Sequence, residues 1–351
     1  MYLHYRVTKE DEGQTAEHVL RRRLGVSGAL SRRLRNGRAL TSDGTFIMNR
    51  TVVEPGSLLE VRLEEENEQL GPLNPKEDIA IYFEDDWFAL VSKPPATPTH
   101  PRFPGDRGLT TVLSDKQLHP ANRLDLDTSG LVIIAKNGFA HHLLTTSPIQ
   151  KIYYGLVHGL PPEEGVIDAP IDRAPDSIIL RMIREDGKRA RTHFRRVAAW
   201  PRQQTSLLAF RLETGRTHQI RVHSAHLGFP LVGDSLYGWE QTFRARSEIR
   251  GRNRANYLMA DKRVFSDPGM ARDFRALALN RELDRQFLHA ARLRFVYPLT
   301  KEMIDVRAPL PADLCRLLRK LNAVERAQIC HTSLQPLMDL DLPANVETTA
   351  E

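Results

Sequence analysis

His119 to Lys136 reads HPANRLDLDTSGLVIIAK and holds a strand together with the loop that feeds it. Leu131 to Ala135 is an apolar run entered through Asp127-Thr128-Ser129-Gly130, a string of turn formers, so a buried strand behind a tight turn is expected. Asp125 then lies on a loop tied to a rigid element, where a scaffold holds a working carboxylate. Arg123 and Asp127 flank it at two-residue spacing, and in extended backbone the three side chains share one face. A surface ion-pair cluster has the same spacing, so these residues by themselves leave both readings open.

Two further stretches bear on that choice. Gly215 to Gly238 reads GRTHQIRVHSAHLGFPLVGDSLYG. Thr217 is the expected cap of a helix from His218 to Leu227, closed by Gly228, on which His218, Arg221 and Ala225 share a face. His218, His223 and His226 lack a His-x-x-x-His pair and an accompanying thiolate, so no metal is expected there. Lys151 to Gly159, KIYYGLVHG, alternates as a strand with Lys151, Tyr153, Gly155 and Val157 on one face. A tyrosine so placed is ordinary core or edge filler until its surroundings say otherwise.

Taken together, the strings around Asp125, Tyr153 and Arg221 resemble the RluA-type pseudouridine synthases. That family carries Arg-Leu-Asp before a Thr-Ser-Gly-Leu turn, a Lys-x-Tyr strand and a Gly-Arg-Thr-His-Gln-Ile-Arg-Val-His block. The resemblance runs through most of residues 79 to 310, closing on LHAARLRFVYPLT from Leu288 to Thr300. The commoner family sequence has His before the Arg, where Asn122 stands here. The resemblance implies an α+β (mixed α/β) fold around a largely antiparallel sheet. It further implies Asp125 as the catalytic carboxylate, Arg221 as its partner, Tyr153 as the active-site ring, and Arg123 as a filler of the space an extruded base leaves.

The remaining chain is expected to grip RNA. The full sequence of 351 residues, 41% hydrophobic and 27% charged, suits a globular protein of two or three domains, and its formal charge of +6 suits a polyanionic partner. Thr15 and Ser27 cap two short helices, and between Arg21 and Arg38 lie seven arginines (Arg21, Arg22, Arg23, Arg32, Arg33, Arg35, Arg38) without one acidic residue. Phosphate contact explains that better than a solvated helix face, which would interleave carboxylates. With its closing strands, residues 1–63 resemble the small S-four RNA-binding module. Residues 64–78 read as a linker and 79–310 as the catalytic domain, with a charged insertion at about 239–286. A helix from Pro311 to Cys330 and a fraying tail make up 311–351. Arg181 to Arg195 reads as a basic hairpin, with Lys188, Arg189 and Arg191 as RNA contacts, and His218 is placed with them.

The chemistry follows from these expectations. Pseudouridylation breaks a uridine's N-glycosidic bond and rejoins the base through carbon five, which one ionised carboxylate can serve as nucleophile or base, with no cofactor and no metal. The resemblance implies RNA as partner, ribosomal RNA by analogy with synthases carrying such a module, transfer RNA being the alternative. A silent RNA-binding protein of the same fold and a hydrolytic nucleosidase are the competing readings; the second lacks a motif supplying a second carboxylate. Cys315 and Cys330 do not make a disulfide scaffold, and no long apolar segment occurs, so a cytoplasmic monomer without membrane attachment is expected.

Overall fold

The computed structural model describes residues 2–37, 39–63, 71–101, 103, 105–175, 177–238, 276, 278–326 and 328–329. Arg38, residues 64–70 of the expected linker, residues 239–275 of the charged insertion and the tail from 330 lie outside the described residues.

In chain order, the N-terminal part holds β1 (Tyr2–Arg6), α1 (Ala16–Arg23), α2 (Gly28–Gly37), β2 (Leu40–Ser42), β3 (Thr45–Phe46) and β4 (Leu58–Arg62). The middle holds β5 (Ile81–Glu84), β6 (Phe88–Lys93), α3 (Leu109–Leu113), β7 (His119–Pro120), β8 (Ser129–Ala135) and α4 (Gly138–Thr146). From Gln150 on come β9 (Gln150–His158), β10 (Glu164–Asp168), β11 (Ile171–Arg173), β12 (Arg181–Ile183), β13 (Arg191–Trp200), β14 (Thr205–Leu212) and α5 (Gln219–His226). The described chain closes with β15 (Leu288–Val296), β16 (Met303–Arg307), α6 (Ala312–Val324) and β17 (Gln328–Ile329). The fold is α+β, with a mostly antiparallel sheet.

Two compact units interleave along the sequence: Met1–Val91, His100–Arg123 and Val132–Ser147 form one, and Ser92–Thr99, Leu124–Leu131 and Pro148–Glu351 the other. In the first unit, β1, β4, β2 and β3 form an antiparallel sheet in that order. The Thr15 hydroxyl accepts the His18 N–H and Ser27 the Leu30 N–H, so both caps read from the sequence are made. Ala16, Val19 and Leu20 on α1 pack inward at helical spacing with Leu30 and Leu34 of α2 buried as well. Arg23 is spent within this unit: it pairs with Asp11 at 2.8 Å and Glu10 at 2.7 Å, and Asp11 also accepts from Tyr5 and Thr8. Those bonds hold the Asp11 carboxyl far below the usual range against its burial. Asn122, in the place of the family's histidine, accepts the Ile133 N–H at 2.7 Å and so tethers the edge of β8.

In the second unit the strand order is β10-β13-β14-β9-β15, with β16 pairing the far half of β15. Leu314, Leu317 and Leu321 recur along one side of α6 and are buried with Trp200, Phe287, Val232 and Leu156. The expected hairpin from Arg181 to Arg195 does not form. Instead β12 pairs with β11, while β13 pairs with β10 and β14, because the turn at Gly187 folds back onto Ile171 and not onto β13. The expected helix 311–330 stops at Val324. Helix α5 also starts differently from the expectation: its cap is His218, in left-handed backbone at φ 58°, not Thr217. Gln219 causes the change, since its side-chain oxygen accepts from the Thr214 hydroxyl and the Arg216 N–H and ties the entering loop down.

Candidate active site

Asp125 sits on a loop fastened at every neighbouring position within the second unit. Before it, the Leu124 N–H donates to the Thr99 hydroxyl, which donates to the Leu124 carbonyl. After it, Lys93 donates to the carbonyls of Leu126, Thr97 and Pro94 at 2.8, 2.8 and 2.9 Å. Lys93 is fully buried, which pulls its ammonium down to about 7, while Asp127 and Asp125 oppose the shift. Three carbonyl acceptors use all three donors of the charged form. Arg285 donates to the Asp127 carbonyl, Gln286 to the Thr128 hydroxyl, and Ser129 shares a 2.9 Å hydrogen bond with His289. The turn closes on Gly130, at φ 113°, where an added Cβ would lie 2.2 Å from the Ala290 carbonyl oxygen. Only glycine permits β15 to approach the start of β8 this closely, with His289 opposite Ser129 and Ala290 opposite Gly130.

The carboxylate so held is partly open, its side chain 24% exposed, and Arg221 of α5 reaches its Oδ2 with Nη1 at 3.3 Å. The other edge of that guanidinium is occupied: Nε and Nη2 bind Asp234 at 2.7 and 2.8 Å. Asp234 is fully buried, and its Oδ1 also accepts the N–H groups of Leu236 and Tyr237. These contacts hold the Arg221 guanidinium well above its usual range despite burial. The Tyr237 ring lies 5.1 Å from the guanidinium carbon, a cation–π contact.

Tyr153 stands on β9 between Phe210 of β14 and Ala290 of β15. It is buried, and burial together with the charge of Asp125 pushes its phenol well above the ordinary range. His218, expected among the RNA contacts, has its Nδ1 2.8 Å from the Tyr237 hydroxyl and its Nε2 3.9 Å from Asp125 Oδ1. Burial holds its ring below the usual histidine range, with Asp125 pulling the other way. His223 on the same helix is a core residue, bonded to Thr192 and to the Ala169 carbonyl.

The second unit thus brings together Asp125, Arg221, Tyr153 and His218. Asp234 and Tyr237 were not singled out from the sequence, although both lie in the string that carries Arg221. The available signal was the need of a buried guanidinium for a carboxylate of its own, and Asp234 is the one acid in that string. Arg123 belongs to the other unit and is exposed. Among the other expected contacts, Arg21, Arg22, Arg32, Lys188 and Arg189 are exposed, whereas Arg191 pairs with Asp168 and Glu213. The side chains of Arg33 and Arg35, like Arg38, lie outside the described residues.

A half-buried carboxylate, faced by one edge of a guanidinium and near a buried aromatic ring, is an arrangement that can serve as a single nucleophile or base. The comparisons with known proteins agree. The family model described as RNA pseudouridylate synthase matches residues 88–226. The chain is 32% identical over 314 residues to a Bacillus subtilis protein named uncharacterized RNA pseudouridine synthase YjbO, covering 85% of this chain and 96% of that one. It is 33% identical over 311 residues to ribosomal large subunit pseudouridine synthase D of Xanthomonas campestris pv. campestris, covering 84% of each. Among solved structures, Human RNA Pseudouridylate Synthase Domain Containing 1 superposes with a TM-score of 0.51 at 22% identity, over 77% of this chain and 96% of that one, a likeness of fold. The chain belongs to the RNA pseudouridine synthase family, of the RluA type.

Proposed function

We propose that this chain isomerises uridine to pseudouridine in large-subunit ribosomal RNA, with Asp125 as the catalytic group. The observation that carries the reading is the pairing of Asp125 Oδ2 with Arg221 Nη1 at 3.3 Å beside the buried Tyr153. The reaction breaks the bond from ribose carbon one to base N1 and makes one from the same carbon to base carbon five. Carbon five loses a proton and N1 gains one, so no redox partner is consumed. Asp125, kept in place by the bonds around Leu124, Leu126 and Thr128, supplies negative charge to the electron-poor sugar or attacks it. The base leaves its stack to reach the carboxylate, Tyr153 offers it a ring face, and Arg123 fills the gap left behind.

Exposed Arg21, Arg22 and Arg32, with Lys188 and Arg189, are read as phosphate contacts. The ribosomal target rests on relatives named for the large subunit; the names of the relatives give the transfer-RNA alternative no support. The protein is read as a cytoplasmic monomer, and among the described residues no helix is long and apolar enough to cross a membrane.

The test is to incubate the protein with large-subunit ribosomal RNA transcribed without modifications and to map pseudouridines. New sites that vanish with Asp125→Asn support the reading. Binding without isomerisation would indicate a silent RNA binder, and release of free uracil a nucleosidase.

A further inference from the structure

His218 occupies left-handed backbone, a conformation that costs a non-glycine residue free energy. The ring lies between two partners. On one side its Nδ1 is 2.8 Å from the Tyr237 hydroxyl, and on the other its Nε2 is 3.9 Å from Asp125 Oδ1. The Tyr237 hydroxyl accepts the Arg181 N–H at 2.8 Å, and among the described residues His218 Nδ1 is the acceptor within reach of its own proton, so we assign that proton to the bond with Nδ1. The neutral ring then carries its proton on Nε2, the side that faces the carboxylate. Tyr237 itself is fixed twice over, by its N–H on Asp234 Oδ1 and by its ring against Arg221.

We propose that Tyr237 is a positioning residue for the isomerisation: through its hydroxyl it sets the tautomer and orientation of His218, which presents an N–H beside Asp125 Oδ1 and leaves that oxygen as the reacting one. The two oxygens of Asp125 are unequal for a geometric reason. Oδ2 is within reach of Arg221 Nη1, whereas 3.9 Å from His218 Nε2 to Oδ1 exceeds a hydrogen bond, so Oδ1 keeps its lone pairs free. The histidine N–H is close enough to form a bond when Oδ1 shifts on reaction, and a donor aimed at the place charge occupies later acts in the transition state more than in the ground state. His218 therefore belongs with the chemistry and Tyr237 acts through it. The proposal rests on the isomerase reading above.

The experiment uses unmodified large-subunit ribosomal RNA labelled with tritium at uridine carbon five, since isomerisation releases that hydrogen to water. Single-turnover release is measured for the full chain, for Tyr237→Phe, for His218→Gln and for the double variant, together with RNA affinity and Tm. Tyr237→Phe keeps the ring under Arg221 and removes only the hydroxyl. It should slow release on the order of 10- to 100-fold, the usual cost of a misaimed group, with RNA affinity unchanged within about twofold. The double variant should be no slower than His218→Gln alone, because the hydroxyl has nothing left to orient. Additive losses, or a Tyr237→Phe protein as fast as the parent, would overturn the proposal. If Tyr237→Phe does not fold, His218→Gln against His218→Ala decides the matter. Glutamine can still offer an amide N–H and should retain more activity; equal rates would refute a donor at this position. A parent chain that releases no tritium defeats the isomerase reading itself, a result distinct from any of these.

Discussion

Arg221 meets Asp125 with a single nitrogen because Asp234 holds the other edge of its guanidinium in a bidentate pair. The charge facing Asp125 is therefore aimed by a carboxylate that is buried from solvent. This arrangement separates neutralising Asp125 from immobilising it, and Asp234→Asn tests the separation. Losing one charged acceptor should lower kcat by at least tenfold, with smaller change in KM, because the guanidinium becomes free to rotate. Single-turnover kinetics with large-subunit ribosomal RNA check it; an unchanged kcat would remove the role given to Asp234.

Asp125→Asn and Asp125→Ala should abolish isomerisation while RNA affinity, measured by filter binding, stays within about threefold of the parent, since the proposed phosphate contacts lie on other residues. Retained turnover in either variant refutes the assignment of the catalytic group.

Arg221→Lys is not a conservative change here. Lysine offers a point charge in place of a planar fork, so it cannot serve Asp234 bidentately and Asp125 at once. Activity should fall by two orders of magnitude or more, and leaving Asp234 poorly paired should cost about 3 kcal/mol of stability, read as a shift in the urea midpoint.

Stability should fall in mild acid. Burial lowers His223 and His289 to about 4, whereas unfolded histidine titrates at about 6.5. Between those values the unfolded chain binds more protons than the folded one, so stability drops as pH falls from about 6.5 to about 4; below that the two rings contribute no further loss, and the depressed carboxyl of Asp11 carries the decline on. Each ring accounts for about 3 kcal/mol at about 1.4 kcal/mol per pH unit. Urea midpoints at pH 7, 5.5 and 4 would show the slope, and a flat profile would contradict the buried neutral state.

Reversing the charge of Arg21, Arg22 and Arg32 together should weaken RNA binding and reduce the salt slope by about 0.7–0.9 for each phosphate no longer neutralised. Arg23→Glu should instead destabilise the N-terminal part, because Asp11 and Glu10 lose their cation. Salt titrations of binding beside thermal melts distinguish the two effects.

Local chemistry made much of this molecule legible in its sequence. Alternation and apolar runs predicted β8 and β9, Thr15 and Ser27 announced helix starts that the structure realises, and Asp125 with Arg221 stood in strings long enough to carry a family resemblance. Those features depend on neighbours a few residues away, whose effects on backbone preference are fixed by the order of the chain. The partnerships of the basic segment 181–195 were not legible, because which strand a short basic stretch joins depends on distant backbone donors such as Lys188 returning to Ile171. The start of α5 was missed for a local reason: the Gln219 side chain binds Thr214 and Arg216 in competition with a Thr217 cap, and His218 takes the cap position.

Residue order alone placed an acid at 125 at the mouth of a buried strand, while the family resemblance of the strings around it implied Arg221 as its partner and a pseudouridine synthase as the class of the chain. Tertiary structure alone decided how that acid is held. It set one oxygen on Arg221 and the other beside His218, and it recruited Asp234 and Tyr237 to aim both. Those aims arise where α5 and the turn after it pack against the loop bearing Asp125, roughly 100 residues earlier in the chain, and hydrogen-bond geometry over such a separation exists only once the core has closed.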